Sequence, residues 1–323
     1  MSMLQTEEGL IGLSIREKNI RMTETVMVQD KFQVLRTADG ELTEPFSYEI
    51  LQNRSSIKRI ADELNNLVAG NGFNTSKVSV TIDSDLVLIK KVPTDATLSG
   101  PDLGEHITWE IDQLLVSPRD HFIVDFEQND TDEMNDSQER QVVVVVIRKE
   151  IVDYLREVFA ATKLQLCAID VDVFSAQRVL AKSQDVNLQE KQALVDIRKK
   201  NIQISVIYNG FCLCTEVNLP SEDGLDIVAN RDEQLARVLT KELRRIVLDN
   251  KLGKTIDDLQ GIYFYGQDVN KNMIDLISQA HNANLQALNP FGIIEIAEVT
   301  NNTAAMQNPE NFVTSVGAAI KGF

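Results

Sequence analysis

The segment Leu10–Met22 reads LIGLSIREKNIRM, and its pattern decides the fold. Apolar and polar residues alternate on both sides of a polar centre at Glu17–Asn19. Alternation with a period of two is typical of β-strands, so two such runs around a short polar centre predict a β-hairpin. The segments Glu24–Val28 and Lys31–Leu35 predict a second, looser hairpin directly after the first.

A helix and a strand are predicted after these hairpins. Ser55–Val68 carries apolar residues at helical spacing, and Gly70 is expected to end the helix. Val78–Ile82 reads as a strand. Hairpin, helix and strand in this order favour a mixed α/β layer.

The pattern changes at Lys90, where a Pro-, Gly- and Asp-rich loop is predicted. We expect a small inserted α+β subdomain over about residues 92–168. The elements predicted in and after it are helices at His106–Leu115, Lys149–Thr162 and Phe174–Ala181, strands at His121–Phe126, Val142–Ile147 and Leu166–Val171, and a polar loop at Glu127–Arg140.

The hairpin unit occurs a second time at Ala193–Asn209, ALVDIRKKNIQISVIYN, with a basic polar turn between two strands. A repeat at this separation indicates two lobes of common ancestry, because the repeats of solenoids are far shorter. We place the boundary in the polar stretch Ser183–Lys191, which divides the chain into lobes at 1–187 and 188–323. The second lobe is predicted to contain helices at Asp232–Leu248 and Asn272–His281, a strand at Gly261–Tyr265 and a last helix at about 312–320 that returns to the first lobe.

The composition limits the classes of partner. The chain has 323 residues, 43% of them apolar, and its 32 basic and 49 acidic residues give a net charge of -17. Direct binding of nucleic acid is not expected, because phosphates are bound by clustered Lys and Arg. The first ten residues lack the pattern of a secretory signal, and no apolar run approaches the ~20 residues of a membrane helix. We therefore expect no direct membrane insertion.

The chain has three cysteines, Cys167, Cys212 and Cys214. This sparse, odd set suits a reducing cytoplasm, and we expect buried thiols. The three histidines lie far from the Cys-x-Cys pair in sequence, so no metal site is predicted.

Several segments resemble the type IV pilus assembly protein PilM family. Its pattern has an IGLDIG-type opening, a tryptophan–glutamate helix followed by a VLDF-like strand, and an AID-V-x-x-F segment. The similar segments here are IGLSIR at Ile11–Arg16, WEIDQLLVSPRDHFIVDF at Trp109–Phe126, AIDVDVF at Ala168–Phe174, LVDIRKKNIQISVIYNG at Leu194–Gly210, LQGIYFYG at Leu259–Gly266, NPFGII at Asn289–Ile294 and the closing VTSVGAAIKGF. The resemblance therefore spans nearly the whole chain.

The resemblance implies a two-lobed actin-like fold, in which the turns of both hairpins grip ATP phosphates. It also implies a non-catalytic cytoplasmic scaffold, peripheral to the inner membrane, that holds a PilN-type membrane protein through a short cytoplasmic peptide in a groove of the first lobe. A homodimer is compatible with it. The alternative is an actin-like ATPase or filament-forming protein that binds magnesium-ATP at a rearranged phosphate site.

The nucleotide loops depart from the relatives' Asp-x-Gly turns. Ser14 stands at the aspartate position and Arg16 at the glycine position of the first turn. The second turn keeps Asp196, but Arg198 replaces the glycine. Close approach of backbone N–H groups to a phosphate needs a residue without a Cβ, so both turns have lost the phosphate geometry.

The relatives also have an adenosine-binding segment, usually several adjacent glycines after a strand. In this chain that segment is reduced to Gly266-Gln267-Asp268. We expect the long side chains of Arg16 and Arg198 to occlude the site, so no catalytic residue is assigned. Two alternatives stay open: misalignment of the loops, or a new phosphate clamp formed by the arginines with Lys18, Lys199 and Lys200.

Two further features bear on function. Trp109, the only tryptophan, is placed near the partner groove by the resemblance, while a core aromatic is the alternative. The carboxylates of Glu127–Arg140 lack the glycine and ligand spacing of a calcium loop, which favours a solvated loop. No P-loop motif or nucleophile–histidine arrangement is present.

Overall fold

The computed structural model describes residues 9–128, 139–208, 211–219, 231–267, 269–297 and 303–321. Over these ranges the chain forms three β-sheets with helices packed on them. The strands are β1 (Leu10–Val28), β2 (Lys31–Phe46), β3 (Lys77–Ile82), β4 (Val87–Asp95), β5 (Phe122–Gln128), β6 (Glu139–Arg148), β7 (Gln165–Val171), β8 (Gln192–Ile197), β9 (Asn201–Tyr208), β10 (Phe211–Asn218), β11 (Gly261–Gly266), β12 (Asn284–Ala287) and β13 (Glu295–Ile296). The helices are α1 (Ser55–Asn71), α2 (Gly100–Asp112), α3 (Lys149–Ala160), α4 (Asp172–Ala181), α5 (Arg231–Asp249), α6 (Lys271–Ser278), α7 (Pro290–Ile293), α8 (Thr303–Gln307) and α9 (Val313–Ala319). None of these described helices has both the length and the apolar character to cross a membrane.

The first sheet has the strand order β13-β2-β1-β3-β7. β1 pairs antiparallel with β2 and parallel with β3, and β3 pairs parallel with β7. The apolar stripes of α1 and α3 pack on one face of this sheet, against residues such as Leu13 and Val80. These two residues are partners in the ladder, as the alternating pattern requires.

β1 contains the first predicted hairpin. A Cβ added to Gly9 would lie 3.2 Å from the carbonyl oxygen of Thr25. A straight strand rises about 3.3 Å per residue and would hold these residues tens of ångströms apart, so the chain folds back on itself. The fold-back lies at Glu17, whose φ is 47°. The second hairpin is also confirmed, because Val28 pairs with Lys31.

The second sheet has the order β10-β9-β8-β11-β12, and α5 and α6 pack on it. The repeated hairpin is confirmed as β8 and β9, with Ile197 opposite Ile202 across the basic turn. We call this sheet with α5 and α6 the second lobe. The first lobe is the first sheet with its helices, together with the third sheet.

The third sheet has the order β4-β6-β5 and is covered on one face by α2. Its strands and α2 lie within Val87–Arg148, whereas we expected the insertion over about 92–168. The difference at the end arises because α3 packs in the core of the first sheet and β7 pairs with β3. Local periodicity predicts a strand but not the sheet that the strand joins.

Three local predictions are wrong. The predicted loop at Lys90 belongs to β4, and Pro93 is tolerated because β4 is an edge strand of the third sheet. Gly72 rather than Gly70 ends α1, with a φ of 64° that favours glycine. Cys167 is exposed rather than buried, since it lies on an edge strand.

The C-terminal segment packs on the first lobe. β13 pairs with β2, and α9 lies against β1 and α4. The approach is so close that a Cβ on Gly12 would lie 1.9 Å from the carbonyl oxygen of Ser315. An apolar cluster beside α9 contains residues from both lobes, including Val171 and Leu194.

Candidate functional site

Charged side chains from both lobes meet in the cleft between them. Arg16 comes from the turn of β1, and Arg198 directly follows β8. Asp83 directly follows β3, and Asp172 directly follows β7. Parallel strands end at the same edge of a sheet, so these groups of the first lobe lie at one edge of the first sheet.

Arg198 is the centre of this cluster and is buried. Its Nε donates to Oδ2 of Asp196 at 3.0 Å. Its Nη1 donates to Oδ1 of Asp83 at 2.8 Å and to Oδ1 of Asp85 at 2.9 Å. Its Nη2 donates to Oδ2 of Asp172 at 2.9 Å. Each nitrogen of the guanidinium therefore has at least one carboxylate partner.

Arg16 binds two of the same carboxylates. Its Nη1 donates to Oδ1 of Asp196 at 2.8 Å, and its Nη2 lies 2.6 Å from Oδ2 of Asp196. This is the bidentate geometry in which a guanidinium binds a carboxylate most strongly. The Nη2 of Arg16 also donates to Oδ2 of Asp172 at 3.1 Å.

Burial and neighbouring charges act against each other in this cluster. The pKa of Asp172 is raised to about 7, chiefly by burial and also by the like charges of Asp83 and Asp196, while Arg198 and Arg16 oppose the rise. Burial acts to lower the pKa of each arginine, but the surrounding carboxylates, with Asp196 foremost, outweigh it and raise the pKa above its usual range. Both arginines therefore stay charged.

This arrangement is poorly suited to bind phosphate. Two guanidinium groups face four carboxylates, those of Asp83, Asp85, Asp172 and Asp196. An incoming phosphate would have to replace buried ion pairs and would meet an excess of negative charge. Within the part of the chain that the structure describes, no group of three or more His, Cys, Asp or Glu side chains could hold a metal ion.

A second candidate site is a groove of about 720 Å³ in the first lobe. One wall is the face of the third sheet opposite α2, and it presents Val143, Val145 and Ile147. The facing wall is formed by β7 and α4, which contribute Leu166 and Phe174. The groove therefore has two apolar walls from separate sheets.

Strand edges and charges also line the groove. Among the described strands, β5 ends the third sheet and β7 ends the first sheet. Asp125 and Glu127 on β5 are exposed at the groove. At the β7 wall, Asp170 is already bound by Arg178 at 2.9 Å and by Lys321 at 3.2 Å. The carboxylates on β5 are thus those available to an occupant.

The sequence matches a model of one family, described as type IV pilus assembly protein PilM, over residues 12–215. This match covers more than half of the chain. The chain belongs to the PilM family. A solved structure described as a PilM-PilN type IV pilus biogenesis complex is similar to it, with 16% identity and a TM-score of 0.72 over 97% of this chain and 98% of that chain.

A second similar structure is the cytoplasmic domain of EpsL, an inner membrane component of the type II secretion system of Vibrio cholerae. It has 9% identity and a TM-score of 0.50, over 98% of this chain and 97% of that chain. At identities this low, the similarity to these two structures shows a shared fold and nothing further. The predicted α/β, two-lobed actin-like fold is confirmed.

Of the six residues assigned to the nucleotide loops of this PilM-family chain, the structure brings Arg16, Asp196 and Arg198 together. Ser14 instead faces α9, where its Oγ accepts a hydrogen bond from Oγ1 of Thr314 at 2.9 Å. A serine at the family's aspartate position therefore serves helix packing.

Lys18 and Gly266 also lie outside the cluster's ion pairs. Lys18, Lys199 and Lys200 are all exposed, and Nζ of Lys200 lies 3.3 Å from Oε1 of Glu17. Gly266 has a φ of 106°, and a Cβ there would lie 2.4 Å from the carbonyl oxygen of Ile197. A glycine at this position allows β11 to pack closely on the second turn.

Other expectations concern residues beyond this cluster. Trp109 is 60% exposed, so the core alternative is wrong. It lies on α2 in the expected subdomain, across the third sheet from the 720 Å³ groove, and its nearness to a bound partner stays a prediction. Asp268 and residues 129–138 of the predicted polar loop lie outside the described residues.

Sequence reasoning missed the three aspartates of the first lobe, Asp83, Asp85 and Asp172. A signal was present, because Asp83 directly follows the apolar strand VSVTI and Asp172 follows CAIDV. Carboxylates at the ends of parallel strands lie at one sheet edge, where they meet the hairpin turn. This signal could be used only if β3 and β7 were recognised as neighbouring strands.

Proposed function

We propose that this PilM-family protein is a non-catalytic cytoplasmic scaffold that holds the cytoplasmic tail of a PilN-type inner-membrane protein in the groove of the first lobe. The observation that carries the proposal is this open groove, with apolar walls and two strand edges. The similar structure described as a PilM-PilN complex supports the choice of partner. Attachment to the inner membrane would follow from this contact.

The groove suits an extended segment. The backbone of a strand edge can pair with an added strand, while alternate side chains enter apolar pockets such as the one formed by Val143 and Val145. Cytoplasmic segments beside membrane helices are enriched in Lys and Arg. Asp125 and Glu127 on β5 would attract the basic residues of such a tail, and Arg156 at the opposite wall would repel them, so the charges favour one orientation of the tail.

Replacing Val143 by arginine should abolish or strongly weaken tail binding. Val143 lines the groove, so an arginine there would place a long charged side chain against the apolar part of the tail. We expect the Kd for synthetic peptides copying the cytoplasmic tails of the organism's inner-membrane pilus proteins to rise at least about tenfold. Fluorescence anisotropy of labelled peptides measures this directly.

The matched control is Val116→Arg, because Val116 is fully exposed on the same subdomain and lies outside the groove. It should leave the Kd unchanged. If a tail binds the Val143→Arg variant as tightly as it binds the wild type, the groove is not its binding site. A wild type that binds none of the tails would remove the proposed function.

We also propose that the protein works without bound nucleotide. The arginine donors in the cleft already have carboxylate partners, and the surrounding charge is predominantly negative. Calorimetric titration with magnesium-ATP at millimolar concentration should give no binding heat, and the melting temperature should not shift. Micromolar binding would instead support the rearranged phosphate site and an ATPase or filament former.

A further inference from the structure

The charged cluster joins the two lobes by a reciprocal exchange of arginines. Arg16 of the first lobe contacts Asp196 of the second lobe at 2.8 and 2.6 Å. Arg198 of the second lobe contacts Asp83 and Asp172 of the first lobe at 2.8 and 2.9 Å. Each lobe therefore supplies one arginine and receives the arginine of the other.

Two further hydrogen bonds between the lobes extend this exchange. Oγ of Ser84 donates to Oε1 of Gln203 at 2.8 Å. Nδ2 of Asn201 donates to Oδ2 of Asp85 at 3.2 Å. Hydrogen bonds weaken steeply with angle, and the guanidinium is a rigid planar fork. All of these ion pairs and hydrogen bonds therefore form together at one relative position of the two lobes.

The lobes also meet through an apolar cluster that includes Val171 of the first lobe with Leu194 and Tyr265 of the second. The hydrophobic effect is roughly proportional to buried area and has no direction. This cluster brings the lobes together through buried area and shape. The buried directional contacts between the lobes lie in the arginine exchange and the hydrogen bonds beside it.

We propose that the exchange of Arg16 and Arg198 is a clasp that sets the relative orientation of the two lobes without any bound ligand. The two arginines form four ion pairs across the cleft, from Arg16 to Asp196 and from Arg198 to Asp83, Asp85 and Asp172. Because they share two guanidinium groups, loss of one arginine removes several contacts together. The clasp does the work of a ligand that bridges the two turns.

The test is a distance measurement between the lobes by pulsed electron paramagnetic resonance. Spin labels are attached to Lys58→Cys on α1 and Lys254→Cys near β11, both at exposed positions, with the three native cysteines replaced by serine. The ligand-free protein should give one narrow distance distribution. Arg16→Gln should broaden it and shift it to longer distances, and Arg198→Gln should do so further.

The matched control is Arg36→Gln. Arg36 lies 3.2 Å from the buried Glu24, but both residues belong to the first lobe. This variant loses an ion pair to a buried carboxylate without touching the clasp, so its interlobe distance should not change. If Arg198→Gln does not fold, the milder Arg16→Gln decides the result. The clasp is overturned if the Arg16→Gln variant folds and keeps the wild-type distance distribution. It is also overturned if Arg36→Gln shifts the interlobe distance as much as Arg16→Gln does.

Discussion

Arg198→Gln is expected to lower the free energy of unfolding by about 3–5 kcal/mol, the usual cost of removing one partner from a buried ion-pair network. Asp172 and Asp196 are buried and would lose a guanidinium that contacts them at 2.9 and 3.0 Å. Glutamine is neutral and shorter, so Arg16 would be left as the only guanidinium among these carboxylates, which it contacts at Asp196 and Asp172. Urea unfolding, followed by circular dichroism, measures the change as a lower midpoint.

The control for this prediction is Arg237→Gln. Arg237 is 82% exposed and lies 3.9 Å from Glu233 on the surface of α5. Solvent screens such pairs, so the free energy of unfolding should change by less than about 0.5 kcal/mol. A loss below about 1 kcal/mol for Arg198→Gln would mean that water already compensates the carboxylates and that the network is not closed.

Gly12→Ala is expected to lower the free energy of unfolding by about 3 kcal/mol, at the upper end of the cost of overpacking. The added Cβ would lie 1.9 Å from the carbonyl oxygen of Ser315 and 2.4 Å from the backbone nitrogen of Ala319. Both are main-chain atoms of α9, so no side-chain rotation can make room. The helix must move away from β1, which would also stretch the hydrogen bond between Thr314 and Ser14.

Gly70→Ala provides the matched control, because a Cβ on Gly70 would meet no atom within 4 Å. Alanine favours the helical conformation more than glycine, so this change near the end of α1 should stabilise the protein by up to about 1 kcal/mol. Thermal or urea unfolding of both variants gives the comparison. Equal stability of Gly12→Ala and the wild type would show that α9 is not packed tightly on β1.

The elements were largely predictable because their signals are local. The alternation at Leu10–Met22 and Ala193–Asn209 predicted both hairpins, and helical spacing predicted α1, α3 and α5. The errors arose where the outcome depended on distant residues. The range of the insertion depended on β7 pairing with β3, and α2 turned Leu103 and Ile107 rather than Trp109 towards the core.

The candidate site was predictable only in part. The arginines at the two turns and the loss of the turn glycines are visible in the sequence. An arginine at such a turn can bind a phosphate or a carboxylate, and its own position does not distinguish the two. The groove gave no signal, because its walls come from β6, β7 and α4 and become neighbours only after the two sheets have formed.

By itself the sequence determined the two hairpin-led lobes, the family and the degeneracy of the nucleotide turns, because these depend on residue types and short-range periodicity. Only the tertiary structure decided what the arginines bind. Asp83 and Asp172 are separated by about half of the first lobe along the chain, yet both follow parallel strands of one sheet. Their carboxylates meet Arg198 in the cleft because strand order, not sequence distance, sets which groups come within a few ångströms.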